Sequence, residues 1–235
     1  KPINFIDLKE YGLIDKTKEK IQNSAKGSIF LMENLRFLPG EEKNDKKLAK
    51  KLASLADLYV NDAFSVSHRK NASVSAITKF LPSHAGLCLE NEIKNLSQVI
   101  RDPKKPLIII LGGAKISDKI GVIKNFLGKA DKFLIGGAVA NTFFAAKKIP
   151  IGKSLYEKEM LTLARQLLKS PKVILPIDWL SEKGKILDIG PETSKNYAEF
   201  IKNAKTIIWN GPMGYFENPK FTKGTEAVID AITKS

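Results

Sequence analysis

Leu107-Ile108-Ile109-Ile110-Leu111-Gly112-Gly113-Ala114-Lys115-Ile116-Ser117-Asp118-Lys119 joins an unbroken apolar run to a glycine pair, and then to a helix start carrying two lysines one turn apart. Consecutive apolar residues without polar alternation suit a strand covered on both faces, as in parallel sheets. Glycines let another group approach the backbone closely, a helix start offers free N–H groups, and lysines at i and i+4 project on one side. A phosphate cradle and a plain glycine turn with two solvated lysines fit these residues equally. The segment lacks both the Lys-Ser/Thr pair of a P-loop and the GxGxxG spacing of a dinucleotide fingerprint.

The same layout recurs on either side. Short apolar runs at 132–135, 173–175 and 206–209 read as strands, separated by helical patterns near 115–127, 139–147 and 158–169. Ahead of them, 3–6, 29–32 and 58–60 read as strands, with a helix expected over about 41–55. Strand followed by glycine, asparagine or aspartate and then by helix is the pattern of βαβ units, so the fold class is α/β with parallel sheets. Between the two groups, 89–100 has helical periodicity and is flanked by Pro82 to Gly86 and by Asp102-Pro103-Lys104-Lys105-Pro106, which suits a connector between domains.

With 235 residues and 43% hydrophobic content the chain can bury an ordinary core. No stretch reaches the roughly 18 uninterrupted apolar residues of a membrane helix, and the N-terminus lacks a signal-type apolar segment, so a soluble protein is expected. The single cysteine, Cys88, cannot form an internal disulfide and fits a cytoplasmic protein, where it is expected to be buried and inert. A formal charge of +14 attracts polyanions in general, but no aromatic-rich RNA-binding motif interleaves the lysines. The expected partners are therefore small anionic molecules, not nucleic acid or membrane. Only Arg36, Arg69, Arg101 and Arg165 are arginine. A guanidinium fork grips carboxylate or phosphate through two parallel bonds, which lysine cannot imitate.

In open parallel sheets ligands bind beyond the carboxyl ends of strands. Arg36 follows one strand and Arg69 another, and their meeting at one sheet edge would suit a small ligand bearing carboxylate and phosphate. Salt bridges to Glu33 or Asp62 are the structural alternative. Gly136-Gly137 would admit a flat ring against the backbone, or serve only tight strand-to-helix packing. Asn210-Gly211-Pro212-Met213-Gly214-Tyr215-Phe216-Glu217 combines a rigid turn with a carboxylate able to accept from ribose hydroxyls, or is a loop with a surface glutamate.

The segments LMENLRF, YVNDAF, SHR, LGGAKISDKIGVI, LDIGPET and TIIWNGPMGYFE resemble, in order and spacing, motifs of the phosphoglycerate kinase family. The resemblance runs almost the whole length of the chain. It implies two Rossmann-like doubly wound parallel-sheet domains joined by a connecting helix, with 1–86 in the N-terminal domain, 87–103 as connector and 104–235 in the C-terminal domain. By the same resemblance the chain is a cytoplasmic, monomeric phosphotransferase acting on 1,3-bisphosphoglycerate and ADP to give 3-phosphoglycerate and ATP, with Mg2+ accompanying the nucleotide. Arg36 and Arg69 then bind 3-phosphoglycerate. Lys115 and Lys119 contact the nucleotide phosphates and the transferring group, as catalytic residues. Gly113, Ala114, Gly136 and Gly137 lie at the nucleotide, Leu155 and Pro212 wall the adenine, Asn210 lines the site and Glu217 holds the ribose.

The sequence departs from the family pattern at Ser65, Asn71, Ala138 and Ile186, which implies a modestly different pocket. It starts after the family's RVDFN and HLGRP segments and stops before its GGGDT-type turn. Both domains are accordingly expected to be incomplete, with no magnesium ligand in this stretch. A non-catalytic nucleotide- or polyanion-binding fragment is the alternative reading. A dinucleotide-dependent dehydrogenase is disfavoured by the missing GxGxxG pattern and ribose carboxylate.

Overall fold

The computed structural model describes residues 2–8 and 16–235. The chain divides into two compact units, Lys1–Gln98 and Val99–Ser235.

In the first unit β1 (Ile3–Ile6), α1 (Thr17–Gln22) and β2 (Ile29–Met32) form a parallel pair with its crossover helix, Ile3 opposite Ile29 and Ile6 opposite Met32. Helix α2 (Lys46–Ala53) begins later than the expected 41–55. The reason is local. Asn44 takes a left-handed φ of 54°, Asp45 caps the helix by accepting from the Leu48 N–H at 2.8 Å, and the buried Glu41 carboxylate accepts from the Ser73 N–H and hydroxyl. Leu48, Ala49, Leu52 and Ala53 then pack on Ala72, Ala76 and Ile77 as the core of this unit.

Strand β3 (Tyr59–Asn61) pairs in parallel with β4 (Ser83–Ala85), a strand that the Pro82 to Gly86 flank concealed. Among the described residues β2 and β3 therefore sit in separate two-stranded pairs, and the strands preceding Arg36 and Arg69 do not share one hydrogen-bonded sheet edge. Helix α3 (Leu87–Arg101) crosses the division between the units. Asp62 caps its start, accepting from the Leu89 N–H at 3.0 Å. Cys88 is exposed there and not buried as expected, because the apolar contact of this turn is made by its neighbour Leu89. A hydrogen bond to Asp62, together with that carboxylate's charge, pushes the thiol pKa up.

The second unit follows with β5 (Leu107–Leu111), α4 (Ile120–Phe126), β6 (Lys132–Ile135), α5 (Gly137–Ala146), α6 (Leu161–Leu167), β7 (Val173–Ile174), the antiparallel hairpin β8 (Trp179–Glu182) and β9 (Lys185–Ile189), α7 (Pro191–Lys202), β10 (Thr206–Asn210) and α8 (Lys223–Thr233). Strand order in the parallel sheet is β10-β5-β6-β7. Alternate β5 side chains face opposite cores. Leu107, Ile109 and Leu111 pack with Ile123, Phe126, Val139, Phe143, Ala164 and Leu167 on one side, while Ile108 and Ile110 pack with Tyr197, Ile201 and Val228 on the other. Helices thus cover both faces of a doubly wound sheet, which is why β5 shows no polar alternation.

Instead of one helix over 115–127, a short 3-10 turn at Ser117–Lys119 precedes α4. Likewise a 3-10 turn at Lys158–Met160 precedes α6. Among the described residues no helix is long and apolar enough to cross a membrane.

Candidate functional site

The sheet of the second unit runs outward from β5 in two directions, to β6 and β7 on one side and to β10 on the other. The turns leaving the carboxyl ends of β5, β6 and β10 meet backbone to backbone, at the usual ligand position in such sheets. A cavity of about 550 Å³ opens there.

Three turns build its floor. The Gly113 N–H donates to the Pro212 carbonyl at 2.8 Å and the Gly137 N–H to the Met213 carbonyl at 2.8 Å. Gly112 is joined to Asn210, its N–H donating to that carbonyl at 3.0 Å. Glycine is required where backbones touch. A Cβ on Gly137, whose φ is 58°, would lie 2.6 Å from the Gly113 nitrogen, and one on Gly211, φ 94°, would lie 2.5 Å from the Gly112 carbonyl oxygen. The two glycines of the 136–137 pair differ in position. Gly137 lines the cavity, whereas Gly136 lies outside its wall and packs against Met213.

Gly113, Ala114, Leu155, Pro212 and Glu217 also line the cavity, Leu155 and Glu217 being exposed. Its apolar walls include Phe144 and Trp179, whose rings stand 5.0 Å apart at 46°. The hairpin β8–β9 closes one side through Glu182, Lys183, Lys185, Ile186 and Leu187. The flanks Trp179-Leu180-Ser181-Glu182 and Lys185-Ile186-Leu187-Asp188-Ile189 lack apolar/polar alternation, so this hairpin has only a weak sequence signal; its two-residue turn, Lys183-Gly184, has positive φ at both positions, 51° and 78°. Ile186 borders the cavity directly.

Asp188, also unflagged by sequence reading, is a nearly inaccessible carboxyl in the cavity wall. Burial pushes its pKa up, and neighbouring Glu226 pushes the same way. The N–H groups of Gly224 and Ile189, each at 2.9 Å, only partly oppose the rise.

Lys115, Lys119 and Asn210 stand outside the cavity wall, on the stretches leading away from Ala114 and into Gly211. The structure brings two of them together, the Lys119 Nζ donating to Asn210 Oδ1 at 2.6 Å. Lys115 is exposed and faces Glu157. Burial acts to raise the Glu157 pKa, but hydrogen bonds from the Ser117 hydroxyl and N–H and from the Ile116 N–H, with the charge of Lys115, outweigh it and hold the carboxyl below its ordinary range. The arrangement is an open-edged crevice with an apolar ring slot, a carboxylate at the rim and cations beside a glycine turn. Chemically it can hold a flat heterocycle with an anionic tail.

In the first unit Arg36 lies in a 3-10 turn after β2, its own N–H bonded to Asn34 Oδ1 at 3.1 Å, and Arg69 follows the turn Phe64–Val66. Both arginines are exposed, and neither forms the alternative ion pair with Glu33 or Asp62. Glu33 accepts from the Asn34 N–H instead, and Asp62 caps α3. Among the described residues no three His, Cys, Asp or Glu side chains gather as a metal cage would require.

Residues 1–235 match the sequence profile described as phosphoglycerate kinase. The chain is 46% identical to the phosphoglycerate kinase of Pseudothermotoga lettingae over 94% of its own length and 62% of that protein. It is 44% identical to the phosphoglycerate kinase of Thermosipho africanus over 100% of its length and 64% of that protein. The solved phosphoglycerate kinase of Pyrococcus horikoshii superposes with a TM-score of 0.86 at 31% identity, covering 99% of this chain and 66% of that one. For the enzyme from Coxiella burnetii the TM-score is 0.77 at 36% identity, with 99% and 64% covered. The chain thus spans a little over three fifths of the length of these relatives. By sequence and by fold, this chain belongs to the phosphoglycerate kinase family.

Proposed function

We propose that the chain serves reversible phosphoryl transfer between 1,3-bisphosphoglycerate and ADP, giving 3-phosphoglycerate and ATP, as a cytoplasmic, monomeric glycolytic kinase. The observation that carries this reading is the crevice of the second unit, where a ring slot runs to a glycine turn flanked by the paired Lys119 and Asn210.

ADP would place its base between the 113–114 and 137 turns and the Leu155 and Pro212 walls, its ribose near Glu217 and its phosphates toward Lys115 and Lys119. An oxygen of the β-phosphate attacks the acyl phosphorus in line, the bond from phosphorus to the carboxyl oxygen breaks, and 3-phosphoglycerate leaves as a carboxylate. No net proton is exchanged. Fixed cations are the chain's contribution, stabilising charge on the transferring phosphoryl without reorganising during the step. Mg2+ would enter with the nucleotide phosphates and neutralise part of their charge, and no residue of this chain is proposed as its ligand. Arg36 and Arg69, exposed and without an ion pair among the described residues, would take the carboxylate and phosphate of 3-phosphoglycerate. Since the two ligands are assigned to different units, a hinge movement at the connecting helix is part of the proposal.

The test is calorimetric titration with MgADP alongside a coupled assay of ATP-dependent phosphorylation of 3-phosphoglycerate. ADP binding is expected, and turnover beside it would support the whole reaction for this chain. ADP binding without turnover would reduce the role to nucleotide capture, and absence of ADP binding would overturn the reading.

A further inference from the structure

Outside the cavity wall, Glu157 makes an unusual set of bonds. Its Oε2 accepts the Ser117 N–H at 3.0 Å and its Oε1 accepts the Ser117 hydroxyl, across 40 residues of sequence. Ser117 opens the 3-10 turn that ends at Lys119, a turn with no other side-chain cap. Glu157 itself is held from behind. Its N–H donates to Thr142 Oγ1 at 3.1 Å, and Thr142 is buried in α5, whose first residue, Gly137, lines the cavity. Two further bonds fasten the same strap. Asn141 Nδ2 donates to the Leu155 carbonyl at 3.1 Å, and the Ile186 N–H of β9 donates to Ser154 Oγ at 2.8 Å.

Charge alone argues against a carboxylate here. Glu157 faces Lys115 at the edge of a site read as anion-binding, so its field opposes a phosphate. Its geometric role acts in the other direction, since it ties the start of the lysine-bearing turn to the walls of the ring slot.

We infer that Glu157 is a positioning residue, which fixes the Ser117–Lys119 turn against the cleft wall so that Lys119 meets the phosphates of a bound nucleoside diphosphate. This rests on the nucleotide reading above. The two effects of Glu157 have opposite signs, which makes the assignment decidable. Removing the charge without the shape, Glu157→Gln, would tighten ADP binding if electrostatics dominated and weaken it if positioning does.

Titrating MgADP and adenosine into wild type and Glu157→Gln separates the cases. We expect ADP affinity to fall about tenfold while adenosine, which has no phosphate to misplace, stays within about twofold. Ser117→Ala, which keeps the carboxylate and removes only the hydroxyl bond, is expected to lower ADP affinity about threefold and keeps the test alive if the first variant misfolds. Unchanged or tighter ADP binding overturns the inference, as does equal loss of ADP and adenosine, which would mark Glu157 as a fold residue only. Wild type that binds neither ligand would sink the nucleotide reading itself, and the inference with it.

Discussion

The two units treat similar apolar runs differently. In the second, every β5 side chain is buried because helices lie on both faces, and Ile109 and Phe143 are 0% exposed. In the first, among the described residues, nothing covers the face of the β1–β2 pair made by Ile3, Phe5, Ile29 and Leu31, Phe5 being exposed by 50% and Leu31 by 56%, and the core of that unit is built from Leu48, Ala49, Leu52 and Ala53 of α2 against Ala72, Ala76 and Ile77. An apolar strand is therefore not by itself a core strand. What buries it is the element packed over each face, and that is supplied by residues far away in sequence.

The largest expected effect tests this contrast directly. Phe143→Ala should cost about 3–5 kcal/mol in urea unfolding, and Phe5→Ala about 1 kcal/mol or less, since half of that ring already meets water. Equal losses would erase the difference between the units. Next come the proposed ligands, one for each unit. Lys119→Ala should weaken MgADP by about 1.5–3 kcal/mol and leave 3-phosphoglycerate alone, while Arg36→Ala should do the converse by a similar amount. A titration in which either variant lowers both affinities would merge the two sites.

The smallest effect is on pH dependence, and it contrasts two carboxylates of the second unit. For Asp178, burial pushes the pKa up, but bonds from the Thr193 hydroxyl and N–H and from the Glu192 N–H win, and the value is lowered. Its stabilising contribution is present above the unfolded carboxylate pKa and is lost as pH falls through the folded one. For Asp188 burial wins and the folded pKa is raised, so its contribution declines as pH rises from the ordinary carboxylate value through the raised one. Urea midpoints measured from acid to neutral pH should show a shallower acid loss in Asp178→Asn and a change of opposite slope in Asp188→Asn. Parallel profiles would remove the contrast.

Much of the scaffold was legible. The runs 107–111 and 132–135 carry strand, burial and loop in a single stretch, and the glycine pairs mark where their carboxyl ends turn. Helix α7 also carries its own signals, with Pro191 at its start and Thr193, Tyr197 and Ile201 spaced to one buried face. The start of α2 was misplaced because Glu41 looks like a helix residue, while its carboxylate is committed to Ser73, 32 positions away.

In the cleft, the glycine turns were visible but most of the wall was not. Phe144, Trp179, Ile186 and Asp188 come from α5 and the β8–β9 hairpin, and nothing in their local patterns says that they face one cavity. The same holds for Glu157, which reads as one more acidic residue before a helical stretch and acts on Ser117 only after the chain has folded back.

The sequence by itself determined the α/β class, the family and the places where strands end in glycine turns, because periodicity and turn composition are carried by residues next to one another. Tertiary structure alone decided which apolar faces are covered, which lysine meets Asn210 and which carboxyls are pushed up or held down. Burial, hydrogen bonding and charge act through space, and the chain order of the residues that supply them does not encode the distance between them.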